Sequence, residues 1–569
     1  MMNFRDIGRG QLHDWDNSKA KNFFEADINL QNVLQLYLDL DDSQREALRA
    51  LGALSAGELD QNAQLEDRIG NHPRLERWSN LGDRIEEIEF HPLHDVSGKL
   101  IWDTGVLALQ KERGQNVLQM AMIYLLAHNG EAGHVCSLAC TSGLIRVLQE
   151  VGDAELQERF LAPLLETDYD KKEHGAQFLT EVQGGSDVGL NAVMAYEEDG
   201  HWFIKGEKWF CSNIKADQFV VTARARDTDG TRGLGLFLVP RQLENGMINH
   251  FEIRRLKDKL GTRTLASAEV DFKGTLAYPI GAIQDGFKNT VQYVLNTSRL
   301  LNTVACAGLM RRAMIEAGAY ACNRVAFGET IISYPMVQEG FARICANTYA
   351  ATALFFYVAQ LLDKTELGTA NEREKQTYRI LVNVAKYISS IQASESVHQA
   401  IEILGGNGAI ESFSILPRLY RDVMVLESWE GTHNVLCLQV MRDIGRYQVQ
   451  EGYFAEMQAM LEGIKHPDLS QQVLKLEVDL EQLEERLRQI MGRDEISMQA
   501  YARHWVHQLG LLSEAILLAK ECQMELDQGM RSDKVAILDF FIKQYLDESY
   551  DPFEDENYLT RLQSISQLA

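Results

Sequence analysis

The run Trp429-Glu430-Gly431-Thr432 follows Arg418-Leu419-Tyr420-Arg421-Asp422 by about ten residues. A helical stretch from Leu416 to Leu426 breaks at Gly431, which leaves one carboxylate at the break. Backbone geometry aims such a group, and a flanking Trp excludes water and raises its pKa. That combination suits a general base for an unreactive C–H bond. A helix cap or a solvated charge is the alternative reading of a lone Glu beside a helix start.

Four further groups stand upstream of it. Thr180-Glu181-Val182-Gln183-Gly184-Gly185-Ser186-Asp187 enters a strand-rich stretch. Its adjacent glycines let backbone N–H groups approach an anion, and the hydroxyls add donors; a capped Gly-rich turn reads the same way. Gly206-Glu207-Lys208-Trp209-Phe210-Cys211-Ser212-Asn213 reads as a strand with Phe210 and Ser212 on one face. An aromatic ring beside a hydroxyl can cover a flat heteroaromatic and bond its polar edge. Arg324 with Phe327-Gly328 ends one helical pattern, and Leu404-Gly405-Gly406-Asn407-Gly408 ends another with C-cap glycines. An Arg there suits a diphosphate or plain solvent. Gly233-Leu234-Gly235 and Gly406-Asn407-Gly408 both lack the third glycine of a dinucleotide fingerprint, which disfavours a Rossmann site.

The elements that must position these groups follow from periodicity. Residues 1 to about 170 read mainly as helices, with apolar residues at three- and four-residue spacing in Asn29–Leu40 and Gln110–His128. From about 175 to 280, short runs such as Trp202–Lys205, Gln218–Ala223, Leu234–Val239 and Ala268–Phe272 alternate with Gly/Asp turns, which predicts a small all-β domain. The helical period returns in Gly286–Asn323, Pro335–Lys364 and Glu372–Leu404, enough for a bundle. Beyond about 450, Val473, Leu476, Leu480, Leu483, Leu487 and Ile490 form a packing seam, read as intramolecular core rather than a partner helix. The predicted units are 1–172, 173–282, 283–448 and 449–569.

With 569 residues, 45% of them apolar and only 9 Pro, the chain has the make-up of a large helix-rich globular protein. Its net charge of −26 disfavours a nucleic-acid footprint over the whole surface. Eight cysteines without a CxxC pair read as reduced, mostly buried thiols. No apolar run reads as long enough to span a membrane, and Met1-Met2-Asn3-Phe4-Arg5-Asp6 lacks the apolar stretch of a signal peptide, so the expected location is the cytoplasm. His91-Pro92-Leu93-His94-Asp95 and the pair His504/His507 have metal-ligand spacing, but no Cys or further His nearby completes a site, and no metal is expected. The basic run Arg254–Arg263 reads as a solvated strand end, with CoA or nucleic-acid phosphate as the other reading.

The order of Thr180–Asp187, Phe210-Cys211-Ser212, Arg324–Gly328, Gly405–Gly408 and Trp429–Thr432 resembles the acyl-CoA dehydrogenase flavoprotein family. The likeness spans about 175 to 445. Gln183-Gly184-Gly185-Ser186-Asp187-Val188, Lys208-Trp209-Phe210, the stretch from Arg255 to Gly261, Pro417–Arg421 and Trp-Glu-Gly resemble its AidB-like branch, as does the helical tail. Phe90-His91-Pro92 and Glu131-Ala132-Gly133 resemble it more loosely.

The resemblance implies an α+β fold with an N-terminal helical domain, a middle β-barrel, a C-terminal four-helix bundle and a helical extension, in a homotetramer. It implies FAD between barrel and bundle. Thr180 would bond the flavin pyrimidine edge, and Gly185 with Ser186 the pyrophosphate. Phe210 would pack on the isoalloxazine, with Ser212 near N5. Arg324, Phe327, Gly405 and Gly406 would serve the FAD of an adjacent subunit, while Thr432 and Asn434 return to the near one. Glu430 takes the place of the catalytic base that removes the α proton of an acyl-CoA, the β hydride passing to flavin N5, and Arg299 would orient or tune it. The electron acceptor would be an electron-transfer flavoprotein.

Four departures bear on this. Trp429 replaces a Tyr and should narrow the acyl pocket; Glu402 and Pro335 replace glutamines, and Asn296 an Asp associated with CoA. Two other functions stay open: an AidB-like DNA-binding flavoprotein of the alkylation response, and an acyl- or lipid-binding flavoprotein with little turnover. Residues 451–569 hold 11 Lys and Arg against 23 Asp and Glu, a net of −12, which disfavours DNA on the extension.

Overall fold

The computed structural model describes residues 4–130, 132–530 and 533–569; Met1–Asn3, and Glu131 of the run quoted above, lie outside them. The N-terminal part is helical, and the apolar helix Asn116–Ala127 is buried along its whole length against the bundle helix Asn296–Asn323. Asp27 caps the helix Ile28–Tyr37 and accepts from Tyr124 Oη at 2.9 Å, with Arg311 Nε 3.1 Å away. One buried carboxylate thereby ties the N-terminal part to the bundle.

One element in this part differs from the sequence reading. Arg74–Trp78 and Arg84–Glu89 form an antiparallel hairpin rather than helix. Its charged residues hid the alternation, and its place depends on distant partners. Ile253 N–H donates to Glu86 Oε2 at 3.0 Å, while Arg77 and Arg84 donate to the carbonyls of Ile253 and Phe251. The hairpin covers the strand Phe251–Leu256, which would otherwise be an open sheet edge.

The middle region is a seven-stranded sheet. Gln218–Arg224, Met194–Glu198, His201–Ser212, Ser267–Pro279 and Leu234–Pro240 pair in that order, and the last pairs back to the first. The ring closes as a barrel, and Gly175–Phe178 joins it parallel to Gln218–Arg224. Its interior is a separate apolar core of residues such as Phe178, Phe219, Phe237 and Phe251. Within it Lys208, fully buried, donates to Glu181 Oε1 at 2.7 Å and to Leu179 O at 3.0 Å. Glu181 also accepts from Ala192 N at 2.6 Å. This pair anchors the Thr180–Asp187 run to the barrel.

The bundle has three long helices, Asn296–Asn323, Pro335–Glu366 and Glu372–Leu404. The third starts in a capping box between Asn371 and Glu374. Two shorter helices, Leu416–Ser428 and His433–Tyr447, pack on it in tandem. Contrary to the sequence reading, Pro335–Glu366 is long and apolar enough to cross a membrane by length and composition. Its apolar window is 94% buried, because the extension helices Glu495–Asp527 and Tyr558–Ser566 pack over it. In the extension, Leu476, Leu480, Leu483, Leu487 and Ile490 are buried on Ser470–Met491 against Glu495–Asp527, so the seam is intramolecular core.

The buried pair in the barrel gives a test. Lys208→Met strands the Glu181 carboxylate and should lower stability by about 3–5 kcal/mol. The double variant with Glu181→Gln should recover most of that loss, read as the denaturation midpoint.

Candidate active site

The helix Leu416–Ser428 ends one turn before the position expected from Gly431, with Trp429 as an extended C-cap. Glu430 itself takes a left-handed backbone at φ +57°, followed by Gly431 at φ +108°. A non-glycine residue in that region is held there by its surroundings. Two buried cations do the holding. Arg299 Nε donates to the Glu430 carbonyl at 3.0 Å, and Arg299 Nη1 donates to Asn383 Oδ1 at 2.7 Å. Lys386 Nζ donates to Glu427 O at 2.9 Å and to Gly431 O at 3.0 Å. A side chain at Gly431 would sit 3.1 Å from Leu436 Cδ2 as well as requiring the positive φ.

Clamped this way, the Glu430 carboxylate points into a largely apolar slot lined by Cys136, Ala139, Cys140, Leu301, Ala305 and Trp429 among others. Its Oε1 accepts from Gln177 Nε2 at 2.8 Å; its Oε2 is buried without a hydrogen-bond partner. Burial pushes the carboxyl up to about 7, against the opposing pull of Arg299, Lys386 and Gln177. Burial likewise lowers Lys386 to about 8 and Arg299 to about 10. The Trp429 indole N–H is tied to Asn302 Oδ1, so the ring is a fixed wall of the slot.

Arg299 therefore holds Glu430 through its carbonyl rather than by pairing with its carboxylate. Gln177, Lys386 and Asn302 escaped the sequence reading, because each reaches the break from an element far away in the chain. Asp422 was noticed only as part of a run; it is a second buried carboxyl in the slot, raised to about 7 by burial, and accepts from Thr262 N at 2.6 Å.

The other expected residues fall into two groups. Thr180, Gly185, Ser186, Phe210 and Ser212 lie on the barrel. Thr180 O accepts from Trp209 N at 2.9 Å, and a Cβ on Gly185 would lie 2.5 Å from Thr180 Oγ1, so that glycine has no room for a side chain. The Phe210 ring is half exposed beside Trp209, with Lys257 Nζ 3.5 Å over the Trp209 ring. Ser212 and Ser267 hydroxyls are 2.9 Å apart. An exposed ring, hydroxyls and a bare Gly-Gly turn suit a flat heteroaromatic with a phosphate tail. Thr432 and Asn434, both exposed, begin the helix after the break.

Arg324, Phe327, Gly405 and Gly406 form the second group. Arg324 caps the helix that Arg299 begins, about 37 Å away at 1.5 Å per residue. Gly405, at φ +62°, caps the helix of Lys386 about 28 Å from it. Phe327 is fully exposed at φ +55°, and Arg324 Nη1 donates to Gln11 Oε1 at 3.3 Å. Arg324 and Gly405 thus stand at the far end of their helices from Arg299 and Lys386.

Comparison with known proteins agrees with this arrangement. Residues 284–445 match the acyl-CoA dehydrogenase C-terminal domain, 176–275 its middle domain, and 15–171 the N-terminal domain of the adaptive response protein AidB. Acyl-CoA dehydrogenase family member 11 of Caenorhabditis elegans is 32% identical over 453 residues, 76% of this chain and 70% of that one. The chain belongs to the acyl-CoA dehydrogenase family. AidB of Escherichia coli K12 is 32% identical over 389 residues, 66% of this chain and 70% of that protein. The crystal structure of Caenorhabditis elegans ACDH-11 with C11-CoA superposes with a TM-score of 0.83 at 26% identity, covering 92% of each chain. The fold expected from the sequence is thus the fold found, including the AidB-type N-terminal domain.

All eight cysteines are free and only Cys322 is exposed. The His91–Asp95 run requires a correction: no partner stands nearby in sequence, but the fold brings His134 and Glu66 to His94.

The raised carboxyl has a stability consequence. Above the unfolded pKa the native state retains a proton that the unfolded chain has lost, so Glu430 destabilises the fold increasingly up to about pH 7. Glu430→Gln should be more stable than the parent by about 3 kcal/mol at pH 8, with no difference near pH 4, read by denaturant titration.

Proposed function

We propose that the chain is an FAD-dependent acyl-CoA dehydrogenase in which Glu430 is the catalytic base. One observation carries this reading: a carboxylate with one oxygen hydrogen-bonded and the other bare, aimed by a clamped backbone into an apolar slot. An acyl chain fills such a slot without leaving polar groups unmatched. The relative crystallised with C11-CoA supports a thioester ligand.

Glu430 Oε2 takes the proton from the carbon next to the thioester carbonyl. With a pKa near 7 it is about half ionised at neutral pH and basic enough to accept that proton. Gln177 keeps the carboxylate in one rotamer through Oε1, and the slot excludes water that would compete for it. Thr180, Gly185, Ser186, Phe210, Ser212, Thr432 and Asn434 would hold FAD, which supplies a two-electron acceptor for the β hydrogen. Arg324, Phe327, Gly405 and Gly406, tens of ångströms from Arg299, would hold the FAD of a neighbouring copy, which supports a homo-oligomer such as a tetramer. An electron-transferring flavoprotein is the acceptor we infer.

A binder with slow turnover is the second reading, and the fixed Trp429–Asn302 wall favours it. The acidic extension disfavours DNA as its ligand.

An anaerobic titration of the flavin-loaded protein with acyl-CoAs, from short branched to long straight chains, separates the two. Bleaching of the visible flavin band by one chain class is the expected result; a shifted but unbleached band would favour the binder. In Glu430→Gln the rate of bleaching should fall at least 10²-fold, about the lower bound for a lost general base, while FAD stays bound. In the parent, that rate should rise with pH through about 7 as Glu430 ionises.

A further inference from the structure

We propose that Glu66, His94 and His134 form a binding site for a divalent transition-metal ion of the zinc class. The donors come from three helices, Glu58–Glu66, Pro92–Trp102 and Ala132–Val151, and one ligand atom from each lies within 4.8 Å of the others. Two imidazoles and a carboxylate are a donor set that zinc takes. The His94 and His134 rings stack at 4.2 Å with their planes 18° apart, so one imidazole must turn out of that stack for both to meet one ion, where bonds of about 2.1 Å put tetrahedral ligands about 3.4 Å apart.

The surrounding contacts are those that hold metal ligands in place. Ser97 Oγ donates to Glu66 Oε1 at 3.1 Å and leaves Oε2 toward His94 Nδ1, 3.3 Å away. His134 Nε2 lies 3.0 Å from the His94 carbonyl, and a proton on Nε2 donates there and fixes the tautomer. Phe90 stacks on the His94 ring at 4.0 Å, and the Trp102 edge meets His134 at 6.0 Å. Glu66 and His134 are each 2% exposed, while the His94 side chain at 16% leaves an entry path. Beyond Trp102, burial pushes Lys172 down to about 7 and holds His174 well below its usual range, so the neighbouring bases oppose a cation weakly.

Without a metal, His94 Nδ1 and Glu66 Oε2 face each other at hydrogen-bond distance. A zinc ion would replace that contact with a bond to each atom. The site lies outside the slot, yet His134 begins the helix whose other face gives Cys136, Ala139 and Cys140 to the slot. Metal bound there would pin the start of that helix to the two preceding ones.

The test uses the full flavin-loaded chain, stripped with a chelator, dialysed and titrated with zinc chloride, with metal counted by mass spectrometry. The parent should retain about one zinc per chain and melt at a higher temperature with it. Cobalt(II) in its place should give the visible bands of a four- or five-coordinate centre. His134→Gln and Glu66→Gln should lose the bound metal and the thermal shift while keeping their helical circular dichroism; Ser97→Ala should weaken affinity about tenfold. His504→Gln/His507→Gln should retain the metal. Retention below about a tenth of an equivalent in the parent, or undiminished zinc in a folded Glu66→Gln, would overturn the site and leave a carboxylate–imidazole contact.

Discussion

Arg299 and Lys386 hold three backbone carbonyls at the end of one helix and across the break that follows it, and the site depends on that clamp. Burying two cations is costly, and neither is neutralised by an ion pair with Glu430. Their hydrogen bonds go to Glu427 O, Glu430 O, Gly431 O and the amide of Asn383 instead. The distinction matters for the chemistry. A guanidinium bonded to the Glu430 carboxylate would drag its pKa down and spoil it as a base. Bonded to the carbonyl, Arg299 fixes the geometry, while burial still keeps the carboxyl near 7.

Rigid helices carry the rest of the arrangement. Arg299 and Asn383 lie on two helices that run away from the break for about six to seven turns and end at Arg324 and Gly405. Cofactor-type residues at those ends cannot converge on their own chain's Glu430. The same helices that clamp Glu430 therefore carry Arg324 and Gly405 to the other end of the bundle, where the proposed reading gives them the FAD of a second copy.

The sequence made the frame legible because the frame is local and periodic. Glu372–Leu404 was predicted to its terminal residues, since a capping box at Asn371 and a glycine at 405 mark its ends. The barrel strands followed from short β-branched runs between turns. The Glu430 break, the bare Gly185 turn and the exposed Phe210 were legible through motif order. Gln177, Lys386 and Asn302 were not, because each is an unremarkable polar residue until the fold sets it against the break. The hairpin 74–89 failed for the same reason, its register fixed by bonds to the barrel edge. His94 shows the converse: its local spacing suggested an incomplete site, and the missing partners lay on other helices.

The extension answers a packing problem posed by the bundle. Pro335–Glu366 carries apolar residues around most of its circumference, and its two bundle neighbours, Asn296–Asn323 and Glu372–Leu404, cannot cover such a helix on every side. Glu495–Asp527 and Tyr558–Ser566 supply the missing cover, and the seam on Ser470–Met491 then buries the back of Glu495–Asp527. Within this layer the charges meet one another: Lys534 is held between Glu521 and Glu525, and Asp555 collects Lys543 and Arg561. With several of its few cations paired internally, the extension turns an acidic surface outward. Its apolar side accounts for its presence, and its charge follows from which residues were left to face solvent.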